Sequence, residues 1–113
     1  MKIDNSVRGV ILHEGKLLVF RLRNCDFWSI PGGRIEPNGE DFYQALEREL
    51  IEETGIKPTI GKLLLVQQLF LGDTVIIEHF FEIKNGADFL RSDLSKISHG
   101  VEIEERSFVD MAT

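Results

Sequence analysis

The 113-residue sequence is poor in several features that mark other classes of protein. Its single cysteine, Cys25, cannot form an internal disulfide bond, which favours a reducing cytoplasm over a disulfide-rich secreted scaffold. The first ten residues lack the apolar core of a signal peptide. No apolar run approaches the roughly 20 residues that a membrane helix needs. The 13 Lys and Arg residues are scattered among 19 Asp and Glu residues, which argues against a basic face for duplex nucleic acid.

What remains matches an ordinary globular domain, with 42% hydrophobic and 28% charged residues. The length fits one domain over residues 1–113, and no repeat or linker divides it. The formal net charge is −6. A protein of this charge still binds anionic substrates if a metal ion supplies positive charge.

The order of apolar runs and turn residues predicts strands, one helix and further strands. Two strands are expected within residues 6–23, around a turn at Gly15. A helix is predicted over residues 41–54, with Asn38 or Asp41 as its N-cap and Gly55 as its end. The remaining predicted strands are Ile60–Leu71, Thr74–Ile83 and residues 101–109. This order indicates an α+β or α/β fold on a mixed sheet.

The end of the predicted helix, RELIEETG over residues 48–55, carries three glutamates. At about 100° per residue, Glu49 and Glu53 fall in the same arc as the apolar side chains, with Glu52 at its margin. Like charges at i and i+4 repel each other, and moving them toward the protein body adds a desolvation cost. A hard divalent cation such as Mg²⁺ would offset both costs, because it prefers carboxylate oxygens.

The helix alone fits a second interpretation equally well. In that interpretation its glutamates form a solvated acidic edge, and Arg48 pairs with Glu52 across one turn. Glu-rich helices are common, so helical spacing does not choose between a metal site and a surface ion pair. The residues before the helix distinguish the metal site from the surface ion pair.

GGRIEPNGE, seven further residues and RELIEETGI together closely resemble the signature of the Nudix hydrolases, the family that includes MutT. That signature is Gly, five residues, Glu, seven residues, Arg-Glu, an aliphatic residue, any residue, Glu-Glu, any residue, Gly and an aliphatic residue. Here Gly33 opens it, Glu40 is its first glutamate and Ile56 closes it. The resemblance covers residues 33–56, about a fifth of the chain, and so many fixed residue types are far more specific than a lone glycine motif.

One position departs from the signature. Six residues rather than five separate Gly33 from Glu40, and the extra residue is Asn38. The insertion falls in the turn before the helix, where loops tolerate length changes. It therefore bears on the positions of the Gly33 carbonyl and Glu40, and leaves the spacing of the helical glutamates intact.

The resemblance implies an α/β/α sandwich and hydrolysis of a nucleoside diphosphate linked to another moiety, with Mg²⁺ or Mn²⁺ as cofactor. It implies Glu49 and Glu53 as the primary metal ligands and Glu52 as an additional one. The Gly33 carbonyl often completes such a site. Water then attacks phosphorus, and positioning and electrostatics dominate the catalysis.

The same resemblance assigns supporting residues. Arg48 corresponds to the arginine that orients the carboxylates, and Glu40 to the glutamate that steadies the start of the helix. A glutamate not neutralised by metal would act as general base, or the base comes from a distal segment, as in some relatives. The distal candidates are Glu78, Glu102, Glu104 and Glu105.

Two arginines follow each other at alternate positions of the second predicted strand. The corresponding strand of relatives often supplies an arginine to the substrate phosphate, and the guanidinium fork suits phosphate geometry. Arg23 is the candidate for that contact, whereas Arg21 is expected to lie on an exposed strand face.

Other residues fit both a functional and a structural role. Phe27 and Trp28 suit base stacking, although packing at the edge of the core is favoured. Gln67 and Gln68 suit the edge of a nucleobase, although a hydrogen bond within the sheet explains at least one of them equally well. His79 lies among apolar neighbours and is expected to be structural.

The sequence stops at Thr113, soon after the last predicted strand, where relatives continue into a helix that packs on the sheet. We therefore expect a sheet face to be partly exposed, which favours a homodimer.

The substrate class is suggested by two residue types that are absent. A proline about fifteen residues after the signature marks hydrolases of ADP-ribose, and a tyrosine slightly further on marks those of dinucleoside polyphosphates; neither occurs in residues 71–74. Their absence favours a nucleoside triphosphate, with ADP-ribose or a nucleotide sugar as the alternative. A non-catalytic nucleotide sensor is the rival function, but such modules usually lose signature glutamates and this sequence keeps all of them.

Overall fold

The computed structural model describes residues 1–22, 28–36, 39–91 and 103–110. In these residues six strands accompany one α-helix, α1 (Phe42–Thr54), and a short 3₁₀ helix (Gly86–Arg91). The strands are β1 (Lys2–His13), β2 (Lys16–Leu22), β3 (Gly32–Arg34), β4 (Ile60–Leu71), β5 (Thr74–Ile83) and β6 (Ile103–Asp110). The described helices include none that is long and apolar enough to cross a membrane.

The strands form one mixed sheet, as predicted. Its strand order is β4-β5-β1-β2-β6, and β3 pairs with β1 outside this order. β1 and β5 are parallel, and the other described pairs are antiparallel. One edge of β1 pairs with β5 along most of its length. The other edge pairs with β3 through residues 6–8 and then with β2 at its end. β1 thus carries β3, the start of the glutamate signature, beside the centre of the sheet.

The turn between β1 and β2 forms where it was predicted. Glu14 has φ 51° and Gly15 has φ 77°, the pair of positive values that a two-residue type I′ hairpin requires. β1 begins earlier than predicted, at Lys2, because its pairing with β5 starts there.

Both predicted ends of α1 are confirmed. The Asp41 carboxylate accepts a hydrogen bond from the Gln44 N–H at 2.8 Å, and the Gln44 side chain accepts one from the Asp41 N–H at 2.9 Å. This capping box satisfies donors that the first turn leaves open. At the other end Gly55 has φ 76°, and its N–H donates to the Ile51 carbonyl at 2.8 Å. Asn38, the alternative N-cap, lies outside the described residues.

Helix α1 packs on the sheet through fully buried apolar side chains, among them Leu46 and Leu50. Gly9 of β1 lies beneath the helix, where an added Cβ would come within 3.0 Å of both Leu50 Cδ1 and Ile83 Cγ1. The missing side chain lets α1 approach β1 closely. The surrounding core consists of Val7, Ile11, Leu18, Phe20, Ala45, Leu46, Leu50, Phe81, Ile83 and Phe89.

Strand β4 forms one edge of the sheet, and its apolar side chains are exposed. Seven of its eight large apolar residues have a fractional exposure between 41% and 65%, and the eighth, Ile60, packs against the core. The seven are Leu63, Leu64, Leu65, Val66, Leu69, Phe70 and Leu71. An exposed apolar surface was expected, while the homodimer inferred from it stays a prediction.

Truncating Leu50 tests the packing of α1 on the sheet. We expect Leu50→Ala to lower the free energy of unfolding by about 2–5 kcal/mol, because it removes buried methyl groups and leaves a cavity. The neighbouring Ile51 is 40% exposed, so Ile51→Ala should cost about 1 kcal/mol or less. Urea denaturation of both variants measures the difference, and equal losses would contradict the placement of Leu50 in the core.

Candidate active site

Arg48 links the glutamates of the signature. Its Nε and Nη2 donate to the two carboxylate oxygens of Glu40 at 3.1 and 2.8 Å. Its Nη1 donates to Glu49 Oε1 at 2.9 Å and to Glu52 Oε2 at 3.3 Å. Nη2 also donates to the Arg34 carbonyl of β3 at 3.3 Å. One guanidinium therefore fixes the positions of three carboxylates and connects α1 to β3. Charge-assisted hydrogen bonds of this kind are stronger than those between neutral groups.

The pairing of Arg48 with Glu40 shifts both titrations. The hydrogen bond from Arg48 holds the pKa of Glu40 below its usual range, assisted by the Glu36 N–H, which donates to Glu40 Oε1 at 2.9 Å. The carboxylates of Glu40 and then Glu49 raise the pKa of Arg48 further above its usual value. Glu40 thereby connects α1 to the chain segment in front of it, a contact that suits the predicted role of steadying the helix start.

The carboxylate of Glu49 lies against the backbone of Gly33. A Cβ added to Gly33 would stand 2.6 Å from Glu49 Cδ and from both of its oxygens. A side chain at position 33 would therefore displace the Glu49 carboxylate. The glycine that opens the signature keeps this space clear.

Glu53 is the most deeply placed carboxylate of the cluster. Its Oε1 accepts a hydrogen bond from the Gly32 N–H at 3.0 Å. Burial, followed by the nearby charge of Glu49, raises the pKa of Glu53 to about 8, and Glu52 adds a smaller effect in the same direction. The Gly32 N–H and the Arg8 guanidinium act in the opposite direction. A proton on Glu53 or a cation beside it relieves the accumulated charge.

These residues fit a divalent cation. Glu49 and Glu53 lie one helical turn apart and present hard oxygen donors, and the space beside Glu49 is free of any Gly33 side chain. In the part of the chain that the structure describes, no three His, Cys, Asp or Glu side chains already form a complete metal-binding group. Instead, Arg48 holds one oxygen each of Glu49 and Glu52. The Arg48–Glu52 pair expected of an acidic surface edge is present too, as one part of this network.

A cavity of about 280 Å³ lies near the glutamate cluster. Arg8, Glu78 and Phe80 line it and alternate with strand residues that pack beneath α1, so the cavity lies on the opposite face of the sheet. Its lining residues are Arg8, Trp28, Ser29, Ile30, Gln67, Leu69, Glu78 and Phe80.

A chain of hydrogen bonds organises the polar wall of this cavity. The Gln67 Nε2 donates to Glu78 Oε1 at 2.8 Å, and the Arg8 Nε donates to Glu78 Oε2 at 3.3 Å. The Arg8 Nη1 donates to the Ile30 carbonyl at 3.0 Å. Two residues further on, the Gly32 N–H donates to Glu53. The cavity and the glutamate cluster are thus joined through a segment of at most about 7 Å of extended chain.

Several predicted residues fall elsewhere. Arg23 and Phe27 lie outside the described residues, as does Glu102. The backbones of Glu104 and Glu105 belong to β6, where Glu105 pairs with Arg21 of β2. The Arg23 phosphate contact therefore stays a prediction. The Arg21 guanidinium lies 6.0 Å from the centre of the Trp28 ring, an arrangement that the expectation of a plain exposed arginine did not include.

Arg8 is the site residue that sequence reasoning missed. It pairs with Glu78 across a separation of 70 residues, and the parallel register of β1 and β5 brings them together. The local signal at Arg8 is one charged residue in a strand that also contains Lys2 and Asp4, which does not identify its partner.

The raised pKa of Glu53 predicts how metal-free stability depends on pH. Its pKa is about 8 when folded and 4.5 when unfolded, so between these values the folded state binds more protons and stability falls as pH rises. Without metal, wild type and Glu53→Gln should be similarly stable near pH 5, and the variant should be more stable near pH 8 by as much as a few kcal/mol.

Urea denaturation in EDTA across this pH range measures the effect. The lowered pKa of Glu40 acts at more acidic pH and is common to both proteins. Parallel stability curves for wild type and variant would contradict the burial of an ionisable Glu53.

Comparison with known proteins agrees with this geometry. The NUDIX domain family profile matches residues 3–111. The chain is 32% identical over 87 residues to the CTP pyrophosphohydrolase of Escherichia coli K12, covering 74% of this chain and 64% of that protein. It is 41% identical over 67 residues to nucleoside diphosphate-linked moiety X motif 6 of Xenopus laevis, covering 56% of this chain and 30% of that protein.

A solved structure supports the fold assignment. The solution structure of the E. coli ORF135 protein has a TM-score of 0.76 and 28% sequence identity, covering 97% of this chain and 75% of that chain. The chain spans less than two thirds of the length of the two relatives named above. With the family profile matched over nearly every residue and the glutamate signature in place on α1, this chain belongs to the NUDIX domain family.

Proposed function

We propose that this chain, as a single Nudix domain over residues 1–113, hydrolyses the diphosphate linkage of a nucleoside triphosphate with the aid of Mg²⁺ or Mn²⁺. The observation that carries the proposal is the burial of Glu53 beside Glu49, against the side-chain-free backbone of Gly33. Like charges placed in this way destabilise a fold unless a cation or a proton compensates them. A cation bound by these carboxylates and by the substrate phosphates would compensate the repulsion and take part in the reaction.

In this proposal Glu49 and Glu53 are the principal ligands of the cation, with Glu52 as a further ligand and the Gly33 carbonyl at its side. When bound, the cation would neutralise charge on the diphosphate and lower the pKa of the attacking water. With a net charge of −6, such a positive centre favours the approach of an anionic substrate.

The other residues of the cluster position these ligands. Arg48 is a positioning residue, because it holds Glu49 and Glu52 by hydrogen bonds while Glu40 anchors its other side. Among the distal candidates for general base, Glu78 has a described side chain, and it already accepts hydrogen bonds from Arg8 and Gln67. The cavity that Glu78 lines also lies on the sheet face opposite α1. We therefore favour a glutamate of the cluster over Glu78 for proton abstraction, while Glu102, Glu104 and Glu105 stay candidates.

The choice of a nucleoside triphosphate has two supports. The residues typical of ADP-ribose and dinucleoside polyphosphate hydrolases are absent from residues 71–74. In addition, the E. coli relative carries the name CTP pyrophosphohydrolase. The chain covers 64% of that protein, so its activity is extended to this chain as a proposal.

The first test measures pyrophosphate or phosphate release from a panel of nucleotides. The panel contains the nucleoside triphosphates, ADP-ribose, dinucleoside polyphosphates and nucleotide sugars, each with Mg²⁺ and with EDTA. We expect Mg²⁺-dependent turnover of a triphosphate, and Glu53→Gln should lower kcat about 100-fold or more because it weakens the hold on the cation. Glu47→Gln removes one charge from the same helix outside the cluster and should leave turnover close to wild type.

Binding of the cation provides a second readout that does not require turnover. A ligand that binds only the folded state raises its stability, by about 2.7 kcal/mol at 100 times Kd. Mg²⁺ should therefore raise the melting temperature of wild type and Glu47→Gln more than that of Glu53→Gln. Stabilisation by Mg²⁺ without turnover of any panel member would favour the sensor function, and no response to metal would refute the proposed site.

Gly33→Ala tests the space beside Glu49. Because the added methyl group would meet the movable end of the Glu49 side chain, we expect metal-free stability close to wild type and metal affinity lower by about tenfold or more. Gly32→Ala is the contrasting variant, since its φ of 142° and a Cβ position 2.0 Å from the Val7 carbonyl should destabilise the fold itself. Titration calorimetry with Mn²⁺ and thermal unfolding in EDTA separate the two effects; unchanged metal affinity in Gly33→Ala would contradict the proposed geometry.

A further inference from the structure

The cavity beside the glutamate cluster presents a fixed hydrogen-bond acceptor. Glu78 is only 7% exposed yet lines the cavity. Gln67 holds one of its oxygens at 2.8 Å and Arg8 holds the other at 3.3 Å. An ionised carboxylate has about four lone-pair sites, so two hydrogen bonds leave capacity for a ligand. Because Arg8 offsets its charge, Glu78 is suited to a neutral ligand group that donates hydrogen bonds.

An aromatic side chain completes the cavity. Trp28 is the only tryptophan of the chain, is 43% exposed and lines the same cavity as Glu78. Exposed aromatic rings provide stacking platforms for bases of any type. A volume of about 280 Å³ lies at the small end of ligand pockets and suits a single nucleobase-sized ring.

The position of the cavity matches the reach of a nucleotide. Arg8 contacts both Glu78 and the Ile30 carbonyl, and the Gly32 N–H two residues later contacts Glu53. A ligand whose phosphates lie at the glutamate cluster can therefore place its base in the cavity.

We infer that this cavity binds the nucleobase of the substrate and that Glu78 selects bases whose hydrogen-bonding edge carries an amino group. Cytosine, adenine and guanine present such a donor, whereas uracil and thymine flank one N–H with two carbonyl oxygens, which a carboxylate repels. Trp28 contributes stacking without discrimination. The inference rests on the proposed function, which places the phosphates at the glutamate cluster.

Cytosine and uracil nucleotides give the sharpest test, because their bases differ by an amino group and a carbonyl at one position. Trp28 fluorescence reports binding directly, since no other tryptophan is present. CMP and UMP, which contain no phosphoric anhydride, serve as probes that do not require turnover. We expect CMP to quench Trp28 with a Kd at least about tenfold lower than that of UMP, and kcat/KM to favour CTP over UTP by a similar factor.

Substitutions then separate recognition from folding. Glu78→Gln should reduce the CMP-to-UMP preference to less than about threefold, because an amide presents a donor as well as an acceptor. Glu82→Gln is the matched control, on the same strand and the same face but outside the cavity lining, and should keep the preference. Trp28→Ala should raise KM for CTP and UTP alike. If Glu78→Gln does not fold, the wild-type comparison alone decides.

Failure of this inference differs from failure of the proposed function. Equal Kd values for CMP and UMP, or no change of Trp28 emission with either, would overturn the base site even if triphosphates are hydrolysed. Preferential binding of CMP that depends on Glu78 would support the base site even if no triphosphate is hydrolysed, in which case the proposed function fails.

Discussion

The hydrogen bonds of Arg48 are the interaction on which the site depends. One guanidinium contacts four carboxylates, those of Glu36, Glu40, Glu49 and Glu52, and also the carbonyl of β3. Without this positive charge, glutamates at i, i+3 and i+4 on one helix would repel one another and splay into solvent. Arg48 keeps them together but leaves the charge of the cluster negative. The network therefore positions the carboxylates but leaves part of their negative charge uncompensated. A cation-binding site requires both conditions.

The deepest carboxylate is stabilised in a different way. Glu53 accepts its hydrogen bond from the Gly32 N–H. The Gly32 N–H and the positive charge of Arg8 stabilise the ionised form of Glu53, as Arg48 does for Glu49 and Glu52. This arrangement requires α1 and β3 to approach closely, and glycine at position 33 permits it, while glycine at position 32 lets β3 approach β1. The raised pKa of Glu53 shows that the compensation is incomplete. The close contact between α1 and β3 thus determines both the packing of the helix and the chemistry of the glutamate cluster.

Sequence reasoning succeeded where the information is local. The capping residue Asp41, the end at Gly55 and the convergence of the glutamates all lie within one helix and its flanks, where spacing alone fixes geometry. It could not find the contact of Arg8 with Glu78, which depends on strand pairing across 70 residues. It predicted a partly exposed sheet face but did not identify β4 as an exposed strand, because an apolar run indicates burial but not the position of a strand within a sheet.

The same distinction separates the chemistry of the site from its selectivity. The glutamate cluster is built from one helix and a three-residue strand, so a short signature specifies its carboxylates and Arg48, while Gly32 and Arg8 act on it from outside the signature. The cavity wall is built from β1, β4 and β5, and its residues lie outside that signature. Substitutions at Glu78 or Trp28 therefore remove no hydrogen bond described for the carboxylates of the cluster or for Arg48. A domain organised in this way can change the base that it accepts while it keeps the phosphate chemistry, because among the described residues the two sites share little more than Arg8 and the short segment from Ile30 to Gly32.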